Sequence, residues 1–423
     1  MYKLDSYINR GKVFLNNQLF PGNKKLSTLM IYATDLCDSA CKHCLIWAKR
    51  PVNFLPFDKI VEVMKSKCIT SHTSVGLEGG EFMLHPDAEK ILEWFTINHP
   101  NFDLLSNCLK PEGLIAAVRK FPPRRLLISL DGTPETYLYM RGKAGYGSVI
   151  KVIESLRERV PISVMFTLSP FNDFSDLQHV AEVCKKYGID MRVGIYNDIA
   201  FFDTVDKAHE TDIGSHKGEE PLEFGVVRKL KEEGVFDKIK TLKKMESDGD
   251  LSLPKHDMSR DYHNFTGEIP PIVREFKENY DFLVLYNEWR QNDLRMRCYS
   301  ILDSLVILPD GDVPICQNLD LKIGNIYRQS LDEVFNGKAT QDIQKEYVHN
   351  CNLCWLNFHR KYDVILMRTF EKYFGKWVTG KLFGYYQWES DSRTTYKQYF
   401  DRIQQGGSGQ DNGSARSGDV QRV

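Results

Sequence analysis

Nothing in the 423 residues approaches the uninterrupted apolar run of roughly 20 residues that a membrane-spanning helix requires. An excess of charge of either sign is also missing. The 56 basic and 57 acidic side chains leave a formal charge of −1. That balance excludes a chain built around a phosphate backbone, and no nucleic-acid partner is expected. The opening MYKLDSYINRGKVFLNNQLFPG has none of the basic, apolar and small-residue segments of a signal peptide, so a cytoplasmic location is the default expectation. No internal repeat or heptad pattern runs through the chain. A chain of this length buries enough core to need no disulfides and predicts two domains with a small third.

What is present is an uneven distribution of ten cysteines. Cys37, Cys41 and Cys44 lie in CDSACKHC, a C-x3-C-x2-C run. A loop this tight brings three thiolates to one centre, where they suit three irons of a 4Fe–4S cubane and leave the fourth iron open. A closed zinc site needs a fourth ligand, which His43 would supply only by folding back. A second group comprises Cys298, Cys316 and the CNLC pair Cys351 and Cys354. Four thiolates close either a cluster or an all-cysteine zinc site, and spacing alone leaves both open. Gly311, in LPDGDVPIC, predicts a hairpin turn that carries Cys316 round.

Between the groups the pattern alternates strand and helix. Strands are predicted at 27–35, 73–78, 101–107, 124–132, 162–169 and 191–198, with helices near 57–67, 87–97, 111–121, 146–158 and 176–188. Such alternation demands parallel strands with helical crossovers, as an open sheet or a partial barrel. The glycines, acids and asparagines gather at the strands' C-terminal ends, where such folds place their sites. The organisation predicted is an N-terminal arm (1–26), an α/β core (27–200), a connector and lid (201–290), a cysteine module (291–356), an aromatic-rich extension (357–403) and a disordered tail (404–423). DFLVLYNEW at 281–289 has strand character. The aromatic–lysine segment at 356–386 is expected to dock on the barrel, with a peripheral membrane contact as the alternative.

CDSACKHC after a first strand, EGGEFMLHPD after a second, and SLDG followed by MRG resemble the radical S-adenosylmethionine (SAM) superfamily. The second cysteine module resembles the SPASM and Twitch subgroup. The resemblance implies an α/β partial (β/α)6 TIM-type barrel with a small C-terminal α+β auxiliary-cluster module. It implies two 4Fe–4S clusters, SAM, and a flavodoxin- or ferredoxin-like electron donor. Cys37, Cys41 and Cys44 would hold the catalytic cluster, and Cys298, Cys316, Cys351 and Cys354 the auxiliary one. Glu78, Gly79, Gly80 and Glu81 would form the turn that binds the SAM amino group. Ser129 and Asp131 would hold the ribose or carboxylate side of SAM, and Arg141 its carboxylate, which a guanidinium fork suits. His43 stands where an aromatic residue commonly meets adenine. Asn107 is followed by Cys108 where the family often has glycine, which puts a thiol at the chamber rim as a candidate hydrogen-atom donor.

The implied chemistry is hydrogen-atom abstraction by a 5′-deoxyadenosyl radical. A fully ligated auxiliary cluster favours oxidation of the substrate; a donor thiol would instead give epimerisation. A small polar substrate is expected, such as a sugar or a lipid- or nucleotide-linked sugar. No recognition domain of roughly 80 residues fits before the first strand, which counts against the alternative, a ribosomal-peptide maturase that epimerises or crosslinks.

Overall fold

A computed structural model describes residues 4–44, 46–169, 171–195, 269–290, 294–317, 321–350, 354–382 and 384–386. Leu45, Cys351, the connector and lid segment up to residue 268, and the tail lie outside the described residues.

The six predicted strands all form: β1 (Thr28–Tyr32), β2 (Ser74–Glu78), β3 (Phe102–Ser106), β4 (Arg125–Ser129), β5 (Ile162–Leu168) and β6 (Asp190–Ile195). They are joined by α2 (Phe57–Met64), α3 (Ala88–Asn98), α4 (Pro111–Lys120), α5 (Pro134–Arg141), α6 (Tyr146–Leu156) and α7 (Phe174–Tyr187). Local chemistry explains the boundaries. In α6 the buried Val149, Val152, Ile153 and Leu156 fall on one helical face. Helix α7 opens with a capping box between Asp173 and Asp176 and closes on Gly188 at φ 66°. Every neighbouring pair in the sheet is parallel, and the apolar strands are buried between barrel interior and outer helices.

The sheet has a seventh strand. After α8 (Lys277–Arg290) and β7 (Leu294–Met296), strand β8 (Ser304–Ile307) pairs in parallel with β1, giving the order β6-β5-β4-β3-β2-β1-β8. The cysteine module thereby contributes a strand to the barrel sheet. The predicted hairpin follows: Gly311 N–H donates to the Leu308 carbonyl, and β9 (Asp312–Pro314) leads to Cys316. Gly311 sits at φ 84°, the left-handed region that glycine enters without strain. Strand β9 pairs antiparallel with β10 (Lys322–Asn325), followed by α9 (Leu331–Asn336) and α10 (Lys338–Asn350).

Three expectations need adjusting. Residues 281–289 lie inside α8, because Phe282, Leu283, Leu285, Tyr286 and Trp289 bury a helical rather than an alternating face. The arm holds a helix, α1 (Leu4–Leu19), whose Arg10 pairs with Asp303 at 2.9 Å and covers the Tyr362 ring. The aromatic segment divides within α11 (Asn357–Leu382), which is followed by β11 (Gly384–Tyr386). His359, Arg360, Asp363, Val364 and Met367 are buried against the body, whereas Tyr373, Phe374 and Trp377 are 69%, 60% and 72% exposed. No described helix is long and apolar enough to cross a membrane.

Candidate active site

The C-terminal ends of β1 to β6 open into a cavity of about 290 Å³, near the lower end of small-molecule sites. Cys37, Cys41 and Cys44 line it together with His43, Glu78, Gly79, Gly80, Glu81, Asn107, Ser129 and Arg141. Two of the sequence-predicted residues lie behind the wall. Asp131 is fully buried, and Cys108 sits in the apolar core with its thiol directed to the Ser106 carbonyl at 3.8 Å. The expectation that Cys108 faces the chamber is thus not met by its placement. Its φ of 62° turns the chain so that Asn107, not Cys108, faces the cavity.

The cysteine loop is built by backbone contacts at both ends. Gly80 N–H donates to the Thr34 carbonyl at 2.7 Å, and Glu81 N–H to the Leu36 carbonyl at 2.8 Å. A Cβ on Gly79 would strike the Thr34 carbonyl, and one on Gly80 the Leu36 carbonyl. The glycine pair is therefore required by close approach to the cysteine loop. On the other side, Ala40 N–H donates to the Arg141 carbonyl at 3.0 Å, and Lys42 N–H to that of Met140 at 2.8 Å. The Lys42 ammonium lies 3.4 Å from the Tyr139 ring centroid.

The charged groups brace one another. Glu81 accepts from Ser106 Oγ at 2.9 Å, Asn107 N at 2.7 Å and Met83 N at 3.3 Å. Burial nevertheless pushes its carboxyl up to about 7. Asp131 Oδ2 accepts from Arg141 Nε at 2.8 Å and Nη2 at 2.5 Å, while its Oδ1 accepts from Thr167 N at 2.9 Å. Arg141 Nη1 lies 3.7 Å from Cys41 Sγ, and Asn107 Nδ2 lies 3.9 Å from Cys37 Sγ. Burial raises all three thiols, Cys44 up to about 12, and lowers His43 to about 4. Buried thiols of this kind ionise only when a metal or a cation supplies the opposite charge.

Among the described residues no three His, Cys, Asp or Glu side chains converge as the ligands of one ion must. A cubane binds each thiolate at a separate iron and needs the sulfurs apart around one space. Three thiols lining one cavity, with N–H groups aimed at two of them, fit that group. In the second module Cys298 and Cys316 share one buried apolar cluster with Ile301, Ile315 and Val348, and Cys354 is buried nearby in sequence to Arg360, whose Nε donates to its carbonyl.

Several cavity residues escaped sequence reasoning. Tyr32 ends β1, and Gln317 follows Cys316 and donates from Nε2 to Tyr32 Oη at 3.0 Å. Leu356 and Ile195 line the same space. Tyr32 was discoverable from strand alternation; Gln317 and Leu356 arrive through β8 and α11 and carried no local signal.

The half-barrel and its thiol-lined mouth define a class, and two family profiles agree with it. Residues 31–184 match the radical SAM superfamily, and residues 298–355 match the iron–sulfur cluster-binding domain named SPASM. The chain belongs to the radical SAM superfamily and carries a SPASM/Twitch-type region, so SAM and 4Fe–4S clusters are its cofactors. GTP 3′,8-cyclases from two Clostridium botulinum strains, Hall and Okra, are each 23% identical over 180 residues, covering 40% of this chain and 56% of the relative. The chain thus spans about half the length of the curated relatives it matches. Among solved structures, Streptococcus suis SuiB bound to S-adenosylmethionine aligns at TM-score 0.47 and 16% identity, over 84% of this chain and 78% of SuiB. Native anSMEcpe with bound AdoMet aligns at TM-score 0.44 and 14% identity, over 89% and 97%.

Proposed function

We propose that this protein is a radical SAM dehydrogenase of a small hydroxylated substrate. The observation that carries the reading is the cavity that the three thiols share with the polar side chains of Tyr32, Glu78 and Gln317. The curated relatives are named for a small molecule, GTP. When bound, SAM and the clusters supply hydrogen-atom abstraction and one-electron transfer.

The chain's own residues bind, orient and exclude. Cys37, Cys41 and Cys44 would hold the open cluster; Cys298, Cys316, Cys351 and Cys354 would hold the auxiliary one. Arg141 and Asn107 direct N–H groups at the Cys41 and Cys37 sulfurs, which stabilises their ionised form. Glu81 fixes the end of β3 through Ser106 and Asn107 and so sets the cavity wall. His43 and Ser129 line the space open to the adenosyl part of SAM. The apolar Ile46, Met165, Ile195 and Leu356 keep water from the target carbon. The net change is loss of two electrons and two protons from a carbinol to give a carbonyl. Bound SAM would take one hydrogen as an atom and a bound auxiliary cluster would accept the remaining electron, with the hydroxyl proton released to solvent. A flavodoxin- or ferredoxin-like protein would deliver the priming electron.

The reconstituted protein, reduced anaerobically with SAM, should release 5′-deoxyadenosine and methionine, faster with a hydroxylated substrate, and give a product two mass units lighter. Turnover in deuterated water separates the alternative. One solvent deuterium in a mass-conserved product, lost in Cys108→Ala, would establish an epimerase and overturn the dehydrogenase reading.

A further inference from the structure

Glu78 differs from the other acids around the cavity. Glu81 takes three hydrogen bonds and Asp131 three, but no described N–H or O–H group donates to the Glu78 carboxylate. The residue is 7% exposed and lines the cavity. Its carboxyl group opens on the cavity, where a ligand group can supply the missing donor.

Its direction separates it from the turn that follows. Gly79, Gly80 and Glu81 meet the cysteine loop at the rim. The Glu78 side chain instead folds back along β2: a Cβ on Gly76 would stand 3.3 Å from Glu78 Oε1. A glycine inside this strand makes room for the carboxylate. Glu78 also borders a second, inner pocket of about 60 Å³, lined by Asp103, Arg192 and Lys361 among others. The carboxylate thus stands between the cofactor mouth and the barrel interior, beside Tyr32, its register partner on β1.

Charge selects the group it receives. Facing Glu78 are Asp103 on β3, Arg192 on β6 and Lys361 on α11, and Asp103 is itself paired with Arg124 at 2.6 Å. Asp103 is paired with Arg124, burial favours the neutral form of Glu78, and Arg192 and Lys361 add positive charge, so there is no excess of negative charge for an ammonium. A neutral hydroxyl donor fits.

We infer that Glu78 is a substrate-binding residue whose carboxyl oxygen accepts a hydrogen bond from a hydroxyl of a neutral polyol or sugar, rather than a ligand of the SAM amino group. The inference deepens the proposed function and rests on its reading of the cavity as a substrate site. The probes are myo-inositol, D-glucose and uridine, with D-glucosamine as the cationic counterpart, each read by saturation-transfer NMR on the reconstituted protein with and without SAM. SAM affinity is measured separately by equilibrium dialysis.

At least one neutral probe should bind, and Glu78→Ala should weaken it about tenfold, the loss of one buried hydrogen bond. Glu78→Gln, which keeps an acceptor oxygen in the same shape, should stay within about threefold, and SAM affinity should not move in either variant. Weaker SAM binding with unchanged polyol binding would return Glu78 to the cofactor. Preference for D-glucosamine, or no neutral probe bound by the parent protein, would also overturn the inference. A parent protein that binds a polyol but does not bind or cleave SAM would remove the proposed reaction and leave the Glu78 assignment standing.

Discussion

Asp131 and Arg141 form a buried ion pair beneath the cysteine loop, with Arg141 Nε and Nη2 donating to the same carboxylate oxygen at 2.8 and 2.5 Å. The sequence reading assigned both residues to SAM. The ion pair occupies one side of the guanidinium, while Nη1 lies 3.7 Å from Cys41 Sγ and the Arg141 backbone carbonyl accepts from Ala40. The arginine connects an acid at the end of β4 to the cluster loop. A carboxylate of SAM would find its remaining face along the cavity wall.

Asp131→Asn should therefore disturb the loop as much as the cofactor. Removing one partner leaves a buried guanidinium without its counter-charge, worth about 3–5 kcal/mol. Denaturant unfolding should show a loss of that order, with iron content lowered in the same variant. A variant of parental stability and iron content that merely binds SAM weakly would assign the pair to the cofactor alone.

Gly80→Ala tests the reason for the glycine pair. The added Cβ collides with the Leu36 carbonyl, so the cysteine loop has to move. Reconstituted iron should fall by about half, because Gly80 packs against the loop that leads into Cys37, Cys41 and Cys44. Full iron loading would show that the turn tolerates a side chain.

Metal analysis separates the two cysteine groups. The parent protein should hold about eight irons and about eight sulfides per chain, and alanine at Cys37, Cys41 and Cys44 together should remove half. About four irons plus one zinc in the parent protein would replace the auxiliary cluster by a zinc site.

The buried carboxyls predict a pH dependence. Burial first, and Asp103 second, push the Glu78 carboxyl from 4.5 up to about 8, with Arg192 opposing. The folded chain keeps a proton that the unfolded chain has released, so this stabilisation is present at low pH and is lost as pH rises from 4.5 through 8. Glu81 and Asp363, both near 7, act in the same direction but over a lower window. His43 and His359, held down to about 4 and about 3, act oppositely and are finished by about 6.5. Between pH 7 and 8 the apoprotein should lose up to about 1.4 kcal/mol, and Glu78→Gln should flatten that step. An unchanged slope in the variant would show that Glu78 does not ionise there.

The order of six strands and helices, the cysteine loop on the strand-end rim and the split of the cysteines into two groups were legible in the sequence. Each depends on local periodicity or close spacing: alternating apolar residues build β1 to β6, and C-x3-C-x2-C bends one loop round one centre. The helix at 281–289 was not legible, because its aromatics fit either period until a neighbour decides which face is buried. The insertion of Ser304–Ile307 beside β1 was not legible either, since a parallel edge is filled by a strand more than 270 residues away in sequence. That insertion brings Gln317 to Tyr32 on the cavity lining. The sequence by itself determined which residues could hold the clusters and which half of the chain would form the barrel. Only the tertiary structure decided that Arg141 turns to Asp131, that Cys108 lies behind the wall and that Glu78 is left without a donor, because hydrogen-bond partners and burial belong to the packed chain and not to spacing along it.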